Sequence, residues 1–554
     1  PEMILRWFRK QAKSRPVVGI SVVTLGASLW LLLLDNWSLW NALFRIVNGP
    51  GSALVLASLL VAFILLFNMA LCLICQPGTT KLVLIFLLIA SSVAAYFMNQ
   101  YGTMIDKGMM QNVFASNWPE IRELLSQKLV AYILILGILP TAFLLSIDID
   151  YHGVWKGVLQ KLAWISGSTL LVTGIIVLFY QDYASIFRNH REIRFLLTPT
   201  NYLSGTYGVL KTKYAQPQEL RVIGRDAQLR MPQSSTGKKA LTIIAVGETA
   251  RAANFSLGGY ARQTNPLMAR EDIIYYSNAT SCGTDTASSV PCMFSDLGQD
   301  SFSISKSAEQ ENLLDVLKRA GVAVLWRDNN SGCKGVCSRV AYQDLSKMND
   351  PELCRSDECF DEILLKNLQE YLDKSDRDTV IILHLKGSHG PAYYLRYPDQ
   401  FAVFKPVCNT NLLEKCSREE IVNAYDNTLL YTDFVLNKII AFLRRNAERF
   451  DASLIYMSDH GESLGENNIY LHGLPRMLAP SEQTHIPVIV WLSKGALQRN
   501  NIELKCLIAH RHDASSHDNL FHSVLGLMDV QTKIYRPGLD LFHACERSGK
   551  VATS

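Results

Sequence analysis

The sequence carries little charge for its length. Only 19% of its 554 residues are charged, whereas 49% are hydrophobic, and the mean hydropathy is +0.10. A soluble chain usually carries about 25% charged residues, so membrane-spanning segments are expected. The formal net charge is only +4, and no zinc-finger spacing, RNP-like stretch or long basic run is present. No nucleic-acid partner is therefore expected.

Charged residues are missing altogether from five long apolar runs, at 17–34, 51–75, 82–105, 129–147 and 162–181. Each run is long enough to cross a hydrocarbon core of about 30 Å as a helix. Buried helices of a soluble protein would need polar faces, which these runs lack. No small-residue cleavage site follows the first run, so we interpret it as an anchor, and Pro1 and Glu2, ahead of Met3, as an expression remnant.

Basic residues orient the five predicted spans. The segment before the first span contains Arg6, Arg9, Lys10, Lys13 and Arg15, which favours a cytoplasmic N-terminus. The second loop contains Lys81 and the fourth contains Lys156 and Lys161, so these loops are also predicted to be cytoplasmic. The third loop, 106–128, balances its basic residues with acidic ones. Five spans that start inside place everything after about residue 182 outside.

Cysteine usage agrees with an exported region. Cys72 and Cys75 lie within the second span, and the other ten cysteines all follow residue 182. An even number in an exported segment is typical of disulfides, although sequence alone does not fix connectivity. A zinc ribbon would need repeated CxxC spacing, which is absent. The simplest pairing joins neighbours in sequence: Cys282/Cys292, Cys333/Cys337, Cys354/Cys359, Cys408/Cys416 and Cys506/Cys545.

The exported region alternates strand-like and helix-like segments. Apolar runs that end in acidic residues or histidine occur at 238–248 ("KKALTIIAVGE"), 378–390 ("DTVIILHLKGSHG") and 452–468 ("ASLIYMSDHGESLGENN"). Amphipathic stretches such as "ENLLDVLKRAG" lie between them, which predicts a doubly wound α/β sheet. We expect three parts: a transmembrane domain at 1–182, a polar membrane-surface connector at 183–238 and an α/β domain at 239–554.

Potential metal ligands follow these predicted strands. Glu248, Asp459 and His460 each lie at a strand end, where functional groups of such sheets collect. Two carboxylates and one imidazole suit zinc, with manganese as a competitor. Any one of the three could be a cap or surface group, but three such residues at the ends of apolar strands favour a site. His389 in "GSHGP" and His472 in "YLHGLP" are further candidates, although each could be an ordinary loop histidine.

A threonine-rich loop, "SCGTDTASSVPC", runs from Ser281 to Cys292. It contains too little apolar mass to fill a core, and cysteines lie near one end and at the other. A hydroxyl held against a divalent cation becomes a nucleophile near neutral pH. Thr284 and Thr286 both fit this role, and spacing does not choose between them.

Several motifs together resemble one family. They are "VGETARAANFSLGGY", "SCGTDTASSVPCMFS", "GCKGVC", "KGSHGPAYY", "YDNTLLYTDFV" and "SDHGESLGENNIYLHGLP". The chain resembles the lipid A phosphoethanolamine transferases along its whole length, a group that includes the mobile colistin-resistance enzymes. The resemblance implies five helical spans and a periplasmic α/β domain of the alkaline phosphatase/sulfatase superfamily, in the bacterial inner membrane.

The resemblance also implies residue roles. The nucleophile would be the second threonine of "CGTDT", Thr286, and the zinc ligands would be Glu248, Thr286, Asp459 and His460. Substrate phosphate would be bound by Lys334, His389 and His472, with Ser331 nearby. The family carries Asn, Thr and Glu at intervals of four in the third loop, where this sequence has Asn112, Ser116 and Glu120, an interval that predicts one helical face. Serine for threonine and Asp285 beside the nucleophile depart from the family pattern.

The implied reaction has two lipid substrates. Thr286 would take phosphoethanolamine from phosphatidylethanolamine, and a lipid A phosphate would then remove it, which lowers attraction for cationic peptides such as polymyxin. A phosphodiesterase, a sulfatase, a glycerophosphate-type transferase and a non-enzymatic membrane sensor are the alternatives. A monomer is expected, while the identity of the acceptor phosphate or core sugar and the number of zinc ions stay open.

Overall fold

A computed structural model of the chain describes residues 15–47, 51–116, 118–151, 153–213, 219–230, 237–355 and 358–547. Of the basic residues that orient the N-terminus, Arg6, Arg9, Lys10 and Lys13 lie outside these ranges. The described chain divides into two compact units. The membrane unit contains residues up to Met110 and Leu125–Val209, and the sheet unit contains Gln111–Leu124 and residues from Leu210 onward.

The described part of the membrane unit has four helices long and apolar enough to cross a membrane: Ser52–Ile74, Thr80–Tyr101, Gln127–Ser146 and Trp155–Leu178. The third includes a π-helical stretch, Ile133–Ile138. The helices Ile20–Leu34 and Trp37–Ile46 meet at 61° and make a fifth span if they are counted as one broken span.

Two spans differ from their sequence-based bounds. The first bends where the side-chain amide of Asn36 donates to the carbonyl oxygens of Leu31 (2.9 Å) and Thr198 (2.8 Å). The last helix begins at Val154 instead of 162. The sequence-based start excluded Lys161 because it is charged, but its side chain reaches the end of helix Ser52–Ile74 and donates to the Cys75 carbonyl oxygen at 3.0 Å.

The rest of the membrane unit consists of short strands and helices. A two-stranded parallel sheet pairs Val17–Gly19 with Asp148–Asp150. Helices Tyr180–Asn189, Ile193–Leu196 and Thr200–Lys213 fall largely within the predicted connector 183–238, of which 214–218 and 231–236 lie outside the described residues.

The sheet unit is built on eight strands, numbered here in chain order. They are β1 Lys239–Gly247, β2 Ile273–Thr280, β3 Ala323–Asp328, β4 Ala341–Asp344, β5 Thr379–His384, β6 Phe450–Ser458, β7 His485–Leu492 and β8 Ser515–Ser516. The strand order is β8-β2-β7-β6-β1-β5-β3-β4. Only β7 pairs antiparallel with its neighbours, β6 and β2. The carboxyl ends of the other strands therefore meet at one edge, as the predicted α/β sheet requires.

Both faces of this sheet are covered, which explains its continuous apolar strands. In β1, Ile244 and Val246 belong to one hydrophobic cluster, while Ile243 and Ala245 belong to the other. The α-helices among the described residues from 237 onward are Thr286–Met293, Ile304–Ala308, Leu313–Arg319, Leu368–Asp373, Arg418–Arg445, Ser481–Thr484, Lys494–Arg499, Leu504–Ala509 and Asp518–Leu527. The longest of these, Arg418–Arg445, begins at a capping box made by Ser417 and Glu420.

Short strand pairs and disulfides complete the unit. The pairs are Ser463–Leu464 with Tyr470–Leu471, Cys354–Arg355 with Glu358–Cys359, and Gln228–Leu229 with Val530–Gln531. The disulfides are Cys282–Cys292, Cys333–Cys337, Cys354–Cys359, Cys408–Cys416 and Cys506–Cys545. Cys72 and Cys75 are free and buried in the membrane unit.

Candidate active site

Three predicted ligands meet at the carboxyl edge of the sheet. Glu248 follows β1, and Asp459 and His460 follow the adjacent parallel strand β6. All three side chains are fully buried, and His460 Nε2 lies 3.3 Å from both Glu248 Oε1 and Asp459 Oδ2. His460 Nδ1 donates to the Gly461 carbonyl oxygen at 2.9 Å, which directs Nε2 toward the carboxylates.

The electrostatics of this cluster favour a cation. Burial raises the pKa of Asp459 to about 7, and the charge of Glu248 adds to the effect. Burial opposes charge on the other two residues, but the hydrogen bond and charge of His460 hold the pKa of Glu248 well below its usual range. The charge of Asp459 and the hydrogen bond with Glu248 raise the pKa of His460 to about 10. Asp459 Oδ2 has no hydrogen-bond partner, so the ligand atoms of these three residues fit a divalent cation.

Thr286 lies directly on this cluster. Its hydroxyl is 3.1 and 3.0 Å from the two carboxylate oxygens of Glu248 and 3.4 Å from His460 Nε2. Thr286 is the first residue of helix Thr286–Met293, where backbone N–H groups attract anions. The Thr284 hydroxyl is buried and donates to the Leu474 carbonyl oxygen at 2.6 Å. Of the two threonines left open by the sequence, the geometry favours Thr286.

The threonine loop is held at several points. The disulfide Cys282–Cys292 joins it to the following helix. The Cys282 N–H donates to His517 Nδ1 at 3.1 Å, and His517 Nε2 donates to the Ser458 carbonyl oxygen at 2.9 Å. A Cβ at Gly283 would lie 2.8 Å from the Ser288 Cβ, so the loop passes too close to the helix for any larger residue.

The loop after β3 brings a second group of side chains to the cluster. Asn330 donates to Glu248 Oε2 at 2.6 Å. In the same loop, Lys334 Nζ donates to the hydroxyl of Ser331 at 2.8 Å, and Cys333 is disulfide-bonded to Cys337. The predicted phosphate-binding residues Lys334 and Ser331 therefore share a pinned loop with a residue that contacts Glu248.

The two predicted loop histidines also converge here. The ring centroids of His389 and His472 lie 5.9 Å apart, and those of His472 and His460 lie 4.4 Å apart. His472 Nδ1 is 2.7 Å from Glu462 Oε2, and the Tyr393 hydroxyl donates to the other oxygen of Glu462 at 2.5 Å. Burial and the nearby Lys386 lower the pKa of His389 well below its usual range, so a neutral imidazole faces the site.

The third-loop prediction needs one correction. The interval of four suggested one helical face for Asn112, Ser116 and Glu120, but two helices, Lys107–Ala115 and Trp118–Leu124, divide the loop. Pro119 explains the break, because proline has no N–H with which to continue the first helix but is tolerated in the first turn of a new one. The Ser116 hydroxyl donates to the Asn112 carbonyl oxygen at 2.9 Å. Glu120 belongs to the second helix.

Sequence reasoning missed three residues of the site. Asn330 contacts Glu248, Glu462 orients His472, and Thr249 donates its hydroxyl to Glu248 Oε1 at 2.7 Å and its N–H to Asp459 Oδ1 at 3.1 Å. Each lies within one or two residues of a strand end or of a predicted ligand. Proximity to those positions was the available signal, but it does not say which way a side chain points.

The mixed sheet, with a buried Glu-Asp-His group at its carboxyl edge that could hold a metal ion, is typical of enzymes of the sulfatase class. The family model described as Sulfatase matches residues 240–530, and the model described as Phosphoethanolamine transferase EptA/EptB matches residues 63–214.

Comparison with related proteins identifies the family within this class. Phosphoethanolamine transferase EptA of Salmonella typhimurium is 39% identical over 97% of this chain and 99% of its own length. Phosphatidylethanolamine transferase Mcr-1 of Escherichia coli is 38% identical over 88% of this chain and 91% of its own. The solved structure of the integral membrane protein lipooligosaccharide phosphoethanolamine transferase A (EptA) from Neisseria meningitidis superposes with a TM-score of 0.93 at 37% identity, covering 96% of this chain and 100% of that one. This chain belongs to the phosphoethanolamine transferase family.

Proposed function

We infer that this protein transfers phosphoethanolamine from phosphatidylethanolamine to a phosphate of lipid A. The modification adds an amine to an anionic lipid, and the expected result is resistance to cationic peptides such as colistin. The observation that carries the inference is the Thr286 hydroxyl within 3.1 Å of both oxygens of a buried glutamate. A hydroxyl in that position suits a covalent nucleophile.

The residues suited to hold zinc are Glu248, Asp459 and His460, with Thr286 as the fourth. Their two carboxylates and imidazole are usual zinc ligands, and the hydroxyl would take the fourth position that catalytic sites leave open. When bound, the ion would acidify the Thr286 hydroxyl and offset negative charge on the phosphate.

The first half of the reaction forms a phosphoethanolamine-threonine intermediate. Thr286 Oγ1 gives up its hydroxyl proton to solvent and attacks the donor phosphorus, a new Oγ1–P bond forms, and the bond from phosphorus to the diacylglycerol oxygen breaks. The departing oxygen takes a proton, for which His472 is placed because Glu462 fixes its ring. Lys334 and Ser331 bind the non-bridging oxygens, which carry most of the negative charge in such transfers.

The second half returns the enzyme to its first state. An oxygen of a lipid A phosphate attacks the same phosphorus, the Oγ1–P bond breaks, and Thr286 regains a proton. The neutral His389 accepts a hydrogen bond or a proton from the incoming phosphate. Asn112, Ser116 and Glu120 are assigned to the ethanolamine head, whose ammonium suits the Glu120 carboxylate.

The protein works as a monomer in the bacterial inner membrane, with its sheet unit in the periplasm. We assign residues 1–182 to the transmembrane domain, 183–238 to the connector and 239–554 to the catalytic domain. The family-model boundaries at 214 and 240 support a division in that region.

The test uses the purified full chain with fluorescent phosphatidylethanolamine and lipid A. Mass spectrometry should find phosphoethanolamine on Thr286 before acceptor is added and on lipid A afterward. Thr286→Ala should abolish both products while retaining zinc, because three protein ligands remain. Thr284→Ala is the matched control and should keep the adduct. An adduct on Thr284, or diacylglycerol release without any threonine adduct, would overturn the assignment.

A further inference from the structure

Arg396 has an almost completely buried guanidinium that links three parts of the sheet unit. Its side chain is 1% exposed. The guanidinium contacts the carboxylates of Glu123 and Glu358, and Nε donates to the His389 carbonyl oxygen at 2.7 Å. A forked cation between two carboxylates is fixed in orientation as well as in position.

Two carboxylates offset the cost of burying this charge. Burial opposes the charge on Arg396, but Glu123 and Glu358 together raise its pKa above its usual value. Burial also opposes charge on Glu358, yet Arg396 and Lys386 lower the pKa of Glu358 to about 2. The Lys386 Nζ lies 3.2 Å from Glu358 Oε1. Glu358 thus binds cations at both sides of the turn that carries His389.

Glu123 comes from a distant part of the chain. It lies in helix Trp118–Leu124, 273 residues before Arg396. The side-chain amide of Asn411 also donates to the Glu123 carbonyl oxygen. The helix that contains Glu120 is therefore attached near its C-terminal end by a side-chain and a backbone contact.

The same guanidinium consequently fixes two features that the reaction uses. One is the helix that contains Glu120, and the other is the backbone of His389, whose ring lies 5.9 Å from that of His472. His389 Nδ1 is buried without a hydrogen-bond partner, so ring contacts and backbone position, and no hydrogen bond at Nδ1, hold the ring.

We propose that Glu123 and Arg396 are positioning residues that couple docking of helix Trp118–Leu124 to the placement of His389. The proposal rests on the proposed function, since it assigns the helix to the donor head group and His389 to the phosphate. An ion pair that only stabilised the fold would have a different signature, because loss of either carboxylate would then act alike.

Glu358→Gln is the matched control for Glu123→Gln, because each removes one carboxylate from the same guanidinium. We expect Glu123→Gln to raise the KM for fluorescent phosphatidylethanolamine by about tenfold or more and to lower kcat through the displaced His389, with zinc content nearly unchanged. Glu358→Gln should lower Tm about as much as Glu123→Gln does, but it should leave donor KM within about twofold. Arg396→Lys keeps the charge and loses the fork, so KM should rise and kcat should also fall.

Hydrogen exchange of the full chain gives a second readout that needs no substrate. Glu123→Gln should speed exchange in residues 118–124 and in 386–390, whereas Glu358→Gln should affect 386–390 alone. Equal effects of the two variants on KM, or unchanged exchange in 118–124 after Glu123→Gln, would overturn the coupling. If the unmodified protein forms no Thr286 adduct, the proposed function fails, and the exchange data still decide whether the helix and the turn are coupled.

Discussion

The carboxylate of Asp285 is bound to Ser288. One oxygen accepts from the Ser288 N–H at 2.9 Å and the other accepts from the Ser288 hydroxyl at 3.1 Å. Asp285 is thus the N-cap of helix Thr286–Met293. The negative charge beside the nucleophile is therefore bound at the helix N-terminus, where a negative charge is stabilising.

Removal of this cap should loosen the nucleophile. We predict that Asp285→Ala destabilises the helix by about 1 kcal/mol and slows formation of the Thr286 adduct in a single-turnover assay. Asp285→Asn keeps an N-cap oxygen and should retain most of both properties. Faster adduct formation in both variants would show instead that the carboxylate repels the donor phosphate.

Thr249 occupies an unusual backbone conformation beside the metal cluster. Its φ is +58°, which is rare for a β-branched residue, and it donates to both Glu248 and Asp459. We predict that Thr249→Val, which keeps the branching but loses the hydroxyl, weakens zinc binding by about tenfold. Thr249→Ser is the control and should bind nearly as well. Chelator competition measures the affinity, and equal affinity in the valine variant would count against this role.

His517 should make stability depend on pH. Burial lowers its pKa from the ordinary value of 6.5 to about 4. Between these values the unfolded chain binds a proton that the folded chain does not, so stability is full above pH 6.5 and falls as pH falls toward 4. The loss is about 3 kcal/mol for a shift of this size.

The measurement is Tm of the detergent-solubilised full chain from pH 7 to pH 4. His517→Asn should start lower, because a bridge between Cys282 and Ser458 is lost, but should have a flatter profile. The surface replacement His512→Asn should keep the steeper profile. Identical slopes for both variants would assign the acid sensitivity to other groups.

The disulfides should differ in their effect on catalysis. Cys282–Cys292 spans ten residues and holds the nucleophile loop, and a cross-link of that size contributes roughly 2–3 kcal/mol in the chain-entropy model. Replacing both cysteines by serine should slow Thr286 adduct formation even below the melting transition. The matched pair Cys506–Cys545 spans 39 residues, and its loss should lower Tm with little change in adduct formation at low temperature. If loss of Cys506–Cys545 slowed adduct formation more than loss of Cys282–Cys292, the two disulfides would not have these separate roles.

The central strands and the meeting of Glu248, Asp459 and His460 could be predicted because their signals are local. A buried strand is a continuous apolar run, and Glu248 and Asp459 are acids placed directly where such runs end. Residue spacing could not choose between Thr284 and Thr286, and only the family resemblance indicated Thr286, since the choice depends on a hydrogen bond from Thr284 to Leu474, 190 residues away.

Other misses have similar causes. The bend in the first span depends on a contact between Asn36 and Thr198, 162 residues apart, which no window of the sequence contains. Pro119 indicates a helix break near Ser116, whereas the interval of four between Asn112, Ser116 and Glu120 predicted one continuous helix. The link between Glu123 and Arg396 joins two ordinary charged residues, and only the folded chain shows that they meet.

The order of the cysteines has a consequence for biosynthesis. Every disulfide in the sheet unit joins two cysteines that follow one another in the sequence, and four of the five separations are ten residues or fewer. A sheet unit that emerges into the periplasm from its own N-terminal end presents each pair before the next begins to emerge. An oxidase that joins cysteines as they arrive would therefore make the native set directly, and the enzyme should mature in cells that lack a disulfide isomerase but not in cells that lack the oxidase.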